Sequence, residues 1–193
     1  VGGPTAFTDN KPNFDWYNGG PVSGANNQDN VIRFDEFYGS TFDSYGGAGC
    51  LALGTMITMA DGSLKKIEDI NVGDYVKSAQ IPGEPLGFDA EDTCASVFDI
   101  YYDFYDSYFL VNGKIKATWE HPFFVLRNGN YSFQKTLTLK VGDKVFTTDN
   151  EFISISSIEN VVEEIETVNI NCEPYDVYFA EGILLHNVHD KDA

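Results

Sequence analysis

From residue 50 onwards the apolar positions fall into short runs separated by Asp-Gly and Gly-Asp pairs, the pattern of a compact β domain. Residues 50 to 76 predict short strands and turns. Ile81-Pro82-Gly83-Glu84-Pro85-Leu86-Gly87 predicts a loop. Cys94 to Val111 is dense in tyrosine, phenylalanine, valine and isoleucine, with breaks expected at Asp103, Asp106 and Ser107. Asn112-Gly113 is a hairpin signal, after which Lys114 to Val125 returns as the partner strand and its continuation. The β pattern stops at Leu184-Leu185-His186-Asn187, six residues before the end of the chain.

Two stretches repeat each other. Ile70-Asn71-Val72-Gly73-Asp74-Tyr75-Val76 and Leu139-Lys140-Val141-Gly142-Asp143-Lys144-Val145 match in character at five of seven places, 69 residues apart. Upstream, the strand ending in Asp61-Gly62 parallels the strand ending in Asn128-Gly129 at an offset of 67. Two copies are too few for a solenoid, so the halves should pack on each other as a pseudo-two-fold domain.

Residues 1–49 differ in kind. Nine glycines, six asparagines and nine aromatics leave one plausible strand, Val31 to Phe37, so this segment cannot close a core alone. The phrase Ile32-Arg33-Phe34-Asp35-Glu36-Phe37-Tyr38-Gly39 is similar to short repeats in bacteriophage tail and other structural proteins. An aromatic-rich linker or edge of a larger protein fits it equally.

Composition removes several partners. A formal charge of -18 supplies no basic face for a phosphate backbone or an anionic membrane, so nucleic acid and membrane are not expected partners. No apolar run approaches the roughly 18 residues of a membrane span. Cys50, Cys94 and Cys172 form no CxxC and leave one unpaired in any pairing, which points to a reducing, cytoplasmic setting rather than a disulfide framework. Asp99, Asp103 and Asp106 lack the glycine and distal glutamate of a calcium loop and are read as a solvated strand face. The absence of an initial Met suggests a fragment or a processed product.

Cys50 follows Gly46-Gly47-Ala48-Gly49, a stretch almost without side chains. The opening Cys50-x-x-x-Gly54-Thr55-x-Ile57, the element Thr118-Trp119-Glu120-His121-Pro122 and the closing Val168-Asn169-Ile170 … Leu184-Leu185-His186-Asn187 together resemble the Hedgehog/intein (Hint) domain, in its mini-intein or bacterial-intein-like form. The resemblance spans residues 50–187. It implies an all-β, pseudo-two-fold, horseshoe-like domain between two host flanks, residues 1–49 and 188–193. It also implies single-turnover, autocatalytic self-processing in cis, with no cofactor and no required metal.

The chemistry asks for the same residue types. Breaking the Gly49-Cys50 bond from within needs a nucleophile one side chain from the preceding carbonyl, and a thiol suits the resulting N-to-S acyl shift to a thioester. The departing amine must gain a proton, a role for a side chain that titrates near neutrality, and His121 is the candidate. Family resemblance gives Thr118 the task of binding and distorting the scissile region. At the other end the Asn187 side-chain amide can attack its own carbonyl, closing a succinimide and releasing Val188, with His186 polarising the carbonyl or protonating the leaving amine. Taken singly, Cys50 reads as a small buried residue, His121 as a core histidine and Asn187 as a turn residue. Thiolate with imidazole is also a zinc-binding pair, so zinc is expected to inhibit.

Two departures from the family pattern bear on outcome. Asn169 stands where splicing inteins commonly carry an aspartate, and an amide cannot act as a base. Val188 stands where they carry Cys, Ser or Thr, which closes ordinary transesterification and favours cleavage over splicing. No segment offers a homing-endonuclease pattern, and Hedgehog-type cholesterol transfer does not fit a His-Asn ending. The alternatives are an inert, degenerate Hint domain within a phage virion or surface protein and a cysteine hydrolase acting in trans.

Overall fold

The computed structural model describes residues 49–80 and 93–187. The strand expected at Val31 to Phe37, the loop expected at 81–87 and Val188 lie outside the described residues. Fifteen strands are present among those described, with two single-turn 3-10 segments and no α-helix. In chain order they are β1 (Leu51–Ala52), β2 (Met56–Thr58), β3 (Leu64–Lys66), β4 (Tyr75–Lys77), β5 (Cys94–Tyr105), β6 (Tyr108–Val111), β7 (Ile115–Ala117) and β8 (Pro122–Arg127). They continue as β9 (Asn130–Lys135), β10 (Lys144–Phe146), β11 (Phe152–Ser154), β12 (Ile158–Val161), β13 (Ile165–Glu173), β14 (Val177–Ala180) and β15 (Ile183–His186).

The strands form two antiparallel sheets. One runs β12-β6-β7-β1-β13-β5-β4 and the other β11-β10-β8-β15-β14-β2-β3, with β9 paired to β8. Apolar positions from both sheets close a single core, Leu51, Val97, Ile115 and Val168 from the first meeting Ile57, Phe123, Val145, Tyr178 and Leu185 from the second. Burial of such side chains stabilises by about 1.5–3 kcal/mol each before conformational entropy is set against it.

The turn chemistry is local and legible. Asn112 and Gly113 both take positive φ, as do Asn128 and Gly129 and also Glu181 and Gly182, and each pair reverses the chain between neighbouring antiparallel strands. The Asn112 side chain adds a second function, its Oδ1 accepting from the Ser156 amide at 2.7 Å. Asp103 does not break its strand. β5 runs unbroken to Tyr105 because each of its residues from Tyr101 to Tyr105 faces a partner on β13, and the interruption falls at Asp106-Ser107.

The internal repeat is a repeated hydrogen-bond circuit. A 3-10 turn at Ile67–Asp69 and another at Thr136–Thr138 each lead into an extended residue, Ile70 and Leu139. Gly73 and Gly142 follow at φ 93° and 97°, donating to Val97 and Ile155 respectively at 2.7 and 2.9 Å. Asp74 accepts from the Asn71 amide and Lys65 Nζ, while Asp143 accepts from the Lys140 amide and the Arg127 guanidinium. Ile67 N–H donates to Thr55 O and Thr136 N–H to His121 O, so one copy of the circuit holds the strand after Cys50 and the other holds His121 itself.

The two circuits differ in depth, and the difference predicts their energetics. The Asp143 side chain is 3% exposed and gripped by two guanidinium nitrogens, whereas Asp74 is 27% exposed with a single ammonium. Asp143→Asn is expected to lower the unfolding free energy by about 2–3 kcal/mol and Asp74→Asn by about 1 kcal/mol. Urea denaturation of both variants tests this, and equal losses would contradict the argument from burial.

Candidate functional site

Strand β1 lies between β7 and β13, so Cys50, immediately before it, enters the domain already flanked on both sides. Thr118 grips it twice. The Cys50 amide donates to Thr118 Oγ1 at 2.8 Å, and the Thr118 amide donates to the Cys50 carbonyl at 2.9 Å. His121 N–H then donates to the Thr118 carbonyl at 3.2 Å, closing a turn that sets the imidazole beside the same segment. The His121 carbonyl accepts from both the amide and the hydroxyl of Thr136, at 2.9 and 2.8 Å. The backbone of His121 is therefore fixed at both ends.

Gly49 sits hard against that backbone. A Cβ at residue 49 would fall 2.5 Å from His121 Cα, 2.8 Å from His121 N and 3.1 Å from the Glu120 carbonyl carbon. These are main-chain atoms that cannot rotate aside. Residue 49 must be glycine for this approach, and its contact surface is the backbone of Glu120 and His121.

The Cys50 sulfur faces a polar row. On β13, Val168, Ile170 and Cys172 point into the core, and the alternate residues Thr167, Asn169 and Asn171 are buried on the opposite face. Thr167 is paired across the ladder with Asp103, two residues from Tyr105. Burial pushes the Cys50 thiol up to about 11, assisted by the carboxylates of Asp103 and Glu120 and opposed by hydrogen bonds with the Thr167 and Tyr105 hydroxyls. The Thr167 hydroxyl also donates to the Asp103 carbonyl at 3.0 Å. The pKa of Tyr105 is itself raised, chiefly by burial.

His121 is fully buried and its pKa is lowered to about 4, first by desolvation and then by the neighbouring His186, with the Gly49 carbonyl opposing. Neither ring nitrogen has a hydrogen-bond partner among the described residues. The ring instead meets Phe123 and Tyr178 edge-on, at 6.3 and 6.4 Å between centroids. An imidazole expected to titrate near neutrality is thus neutral at pH 7, able to pass on a proton but not to bring one.

His186 ends β15, its ring 4.7 Å from that of Phe133. Asn187 follows it, fully buried, its amide donating to the Asp176 carbonyl at 2.9 Å. Asn169 is buried and directs Nδ2 to Asn171 Oδ1 at 3.4 Å. The structure thus groups Gly49, Cys50, Thr118 and His121 directly and relates His186 to them through the field at His121. No group of three or more His, Cys, Asp or Glu suited to a metal ion occurs among the described residues.

Several site residues escape a sequence reading. Thr167 was findable from strand alternation, being two residues from Asn169, and Glu120 from its place directly before His121. Tyr105 carries no such signal, since it is one of several aromatics in β5 and only the register against β13 sets it at the sulfur.

The architecture has known counterparts. A bacterial intein-like domain from Clostridium thermocellum, solved in solution, is 26% identical and superposes with a TM-score of 0.60, covering 72% of this chain and 98% of its own. This chain has the Hint fold. The gp41-1 intein (24% identity, TM-score 0.56, covering 73% of this chain and 100% of its own) and a DnaB intein from Synechocystis sp. PCC 6803 (16%, 0.56, 73% and 99%) share the fold. So does the Msm DnaB1 intein splicing domain, solved bound with zinc (16%, 0.55, 71% and 99%). No family model matches the chain, and no curated protein matches it. The Hint fold explains the repeated circuit, since each half contributes one copy and the site lies where β1 and the Thr118 element meet.

Burial of His121 has a consequence for stability. The unfolded histidine takes up its proton near pH 6.5 and the folded one only near 4, so between those values the unfolded state binds more protons and acid draws the equilibrium towards it. Stability should therefore fall as pH drops from 6.5 to 4, by on the order of 3 kcal/mol from this group. Guanidinium unfolding at pH 7 and pH 4.5 should show a smaller loss in His121→Gln than in the wild type. Parallel losses in both proteins would refute the assignment.

Proposed function

We propose that residues 50–187 act once, in cis, on their own flanks, 1–49 and 188–193. Cys50 Sγ attacks the Gly49 carbonyl, the Gly49-Cys50 bond breaks, and a thioester forms while the freed amine takes up a proton relayed by His121. Thr118 holds the Cys50 peptide unit during the shift. Independently, Asn187 cyclises to a succinimide and releases the chain from Val188, with His186 beside it as proton donor. Asn169 orders the polar row without exchanging protons. Because residue 188 has no side-chain nucleophile, cleavage prevails over splicing.

The observation that carries this reading is the crowding of Gly49 and Cys50 between the two hydrogen bonds of Thr118 and the backbone of His121. Holding reacting groups in one geometry is worth several kcal/mol of barrier. A trans-acting hydrolase would need that space for foreign substrate, and Gly49 fills it. The reaction is nonetheless slow, since a thiol at about 11 is ionised in roughly one molecule in ten thousand at pH 7.

Dithiothreitol should intercept the thioester and release residues 1–49, and Cys50→Ala should abolish that release while leaving the hexapeptide beginning at Val188. Asn187→Ala should do the reverse. Val188→Cys should shift products towards a ligated peptide joining Gly49 to the introduced cysteine. Intact mass over time separates these outcomes, and hexapeptide release persisting in Asn187→Ala would end the assignment at that end.

Gly49→Ala should slow thiol-induced release by about 10- to 100-fold, because the added methyl must displace the peptide from its grip. Release at the wild-type rate would mean that the approach of Gly49 to His121 does not matter to the reaction.

A further inference from the structure

Three turns share one backbone, two successive residues at positive φ with glycine second, and differ in chemistry. Two carry asparagine first, Asn112-Gly113 and Asn128-Gly129, and the third carries glutamate, Glu181-Gly182. An asparagine carboxamide carbon is open to attack by the main-chain nitrogen of the next residue, and glycine, lacking a Cβ, leaves that nitrogen least hindered. Glutamate has no ammonia to lose. A further Asn-Gly pair, Asn18-Gly19, lies outside the described residues.

The two asparagines are held very differently. Asn112 Oδ1 accepts from the Ser156 amide at 2.7 Å, the Ser156 hydroxyl at 3.1 Å and the Ser157 amide at 3.3 Å. The Asn112 amide donates in turn to the Ser157 carbonyl at 2.9 Å. Its hairpin is enclosed in a sheet, with β6 paired also to β12 and β7 also to β1. Asn128 is exposed, and its carboxamide has no hydrogen-bond partner among the described residues. Nor does the Gly129 amide donate to a main-chain carbonyl among them. Its hairpin hangs from the sheet by one edge, since β9 pairs with β8 and with no other described strand. A hairpin tip of this kind belongs to the part of a fold that opens most readily, and an untethered carboxamide can turn towards the next nitrogen whenever it does.

We propose that Asn128-Gly129 is a modification site at which the folded domain converts asparagine to isoaspartate and aspartate, while the tether of Asn112 protects the otherwise equivalent Asn112-Gly113. The Gly129 nitrogen bonds to Asn128 Cγ and gives up its proton, the Cγ–Nδ2 bond breaks, and Nδ2 leaves as ammonia. The five-membered imide then takes up one water. Opening at Cγ gives aspartate, and opening at the main-chain carbonyl gives isoaspartate. The chain stays whole, because here the side-chain nitrogen is the leaving group, whereas at Asn187 it is the nucleophile. The site is independent of the self-processing reading.

Isoaspartate adds a methylene to the main chain of a two-residue turn whose length sets the pairing of Arg127 with Asn130. Arg127 donates to Asp143, Gln134 and the Thr138 carbonyl, and β9 leads directly into Thr136, which holds the His121 carbonyl. Isoaspartate should therefore loosen this hairpin and destabilise the domain. Aspartate, which keeps the backbone length, should not.

The test incubates the full chain at mildly alkaline pH, folded and in urea, and follows residues 112 and 128 by peptide mapping. In the folded protein Asn128 should deamidate about 10- to 100-fold faster than Asn112, from the hydrogen bonds that only Asn112 must break. In urea the two rates should converge. Methylation by protein isoaspartyl methyltransferase, which marks isoaspartate and not aspartate, should label position 128. The aged wild type should unfold at lower urea concentration in proportion to that label, and Asn128→Asp, aged alongside, should keep its midpoint. Equal rates at the two positions in the folded protein, an intact Asn128 there, or a rate ratio that persists in urea overturns the proposal. A midpoint unmoved by isoaspartate overturns the role given to the length of the turn.

Discussion

Thr118 holds Cys50 by its nitrogen and by its carbonyl at once, and the rest of the site is built outward from that grip. One hydrogen bond would leave the residue free to swing about it. Two, to the hydroxyl and the amide of a single residue, hold the peptide bonds on both sides of the Cys50 Cα. Everything else inherits its coordinates from this unit: the sulfur towards Tyr105 and Thr167, and Gly49 against the main chain of His121. Net stabilisation of about 1 kcal/mol per bond is modest. Its importance lies in where it is placed.

The pseudo-two-fold circuits carry this local order into the core. Each 3-10 turn ties a strand of one sheet to an aspartate-centred loop, and the second also anchors His121 through Thr136. The more deeply buried circuit, with Asp143 and Arg127, is the one connected to the histidine. Rigidity is thus concentrated under the half of the site where a small displacement matters most. The fully buried imidazole is held by its aromatic neighbours and a fixed backbone, with the Gly49 carbonyl acting on it.

Much of this was legible in the residues themselves. The turns at Asn112-Gly113 and Asn128-Gly129 and the repeat around Gly73 and Gly142 follow from local chemistry, which short-range sequence encodes, whereas the motif places of Cys50, Thr118, His121 and Asn187 rest on the family resemblance. The strand through Asp103 was not legible, because its continuity comes from pairing with β13 some 64 residues away. Tyr105 was hidden for the same reason. His121 was singled out as a residue type that titrates near neutrality, but its protonation state depends on burial, which only the packed molecule determines. Sequence names the groups, and the low-dielectric interior decides which form each one takes.

The absence of room at Gly49 extends beyond the molecule to its heredity. If the proposed reaction is what keeps the domain compatible with its host, the domain can settle only where the interrupted gene already carries a glycine codon at the upstream junction. Any replacement of that glycine adds a side chain against the main chain of His121. Host positions that must be glycine for their own backbone reasons rarely lose it. On that condition such sites would be the most durable addresses for a domain of this shape, and the contact between Gly49 and His121 would tie its lineage to a constraint set by the surrounding sequence.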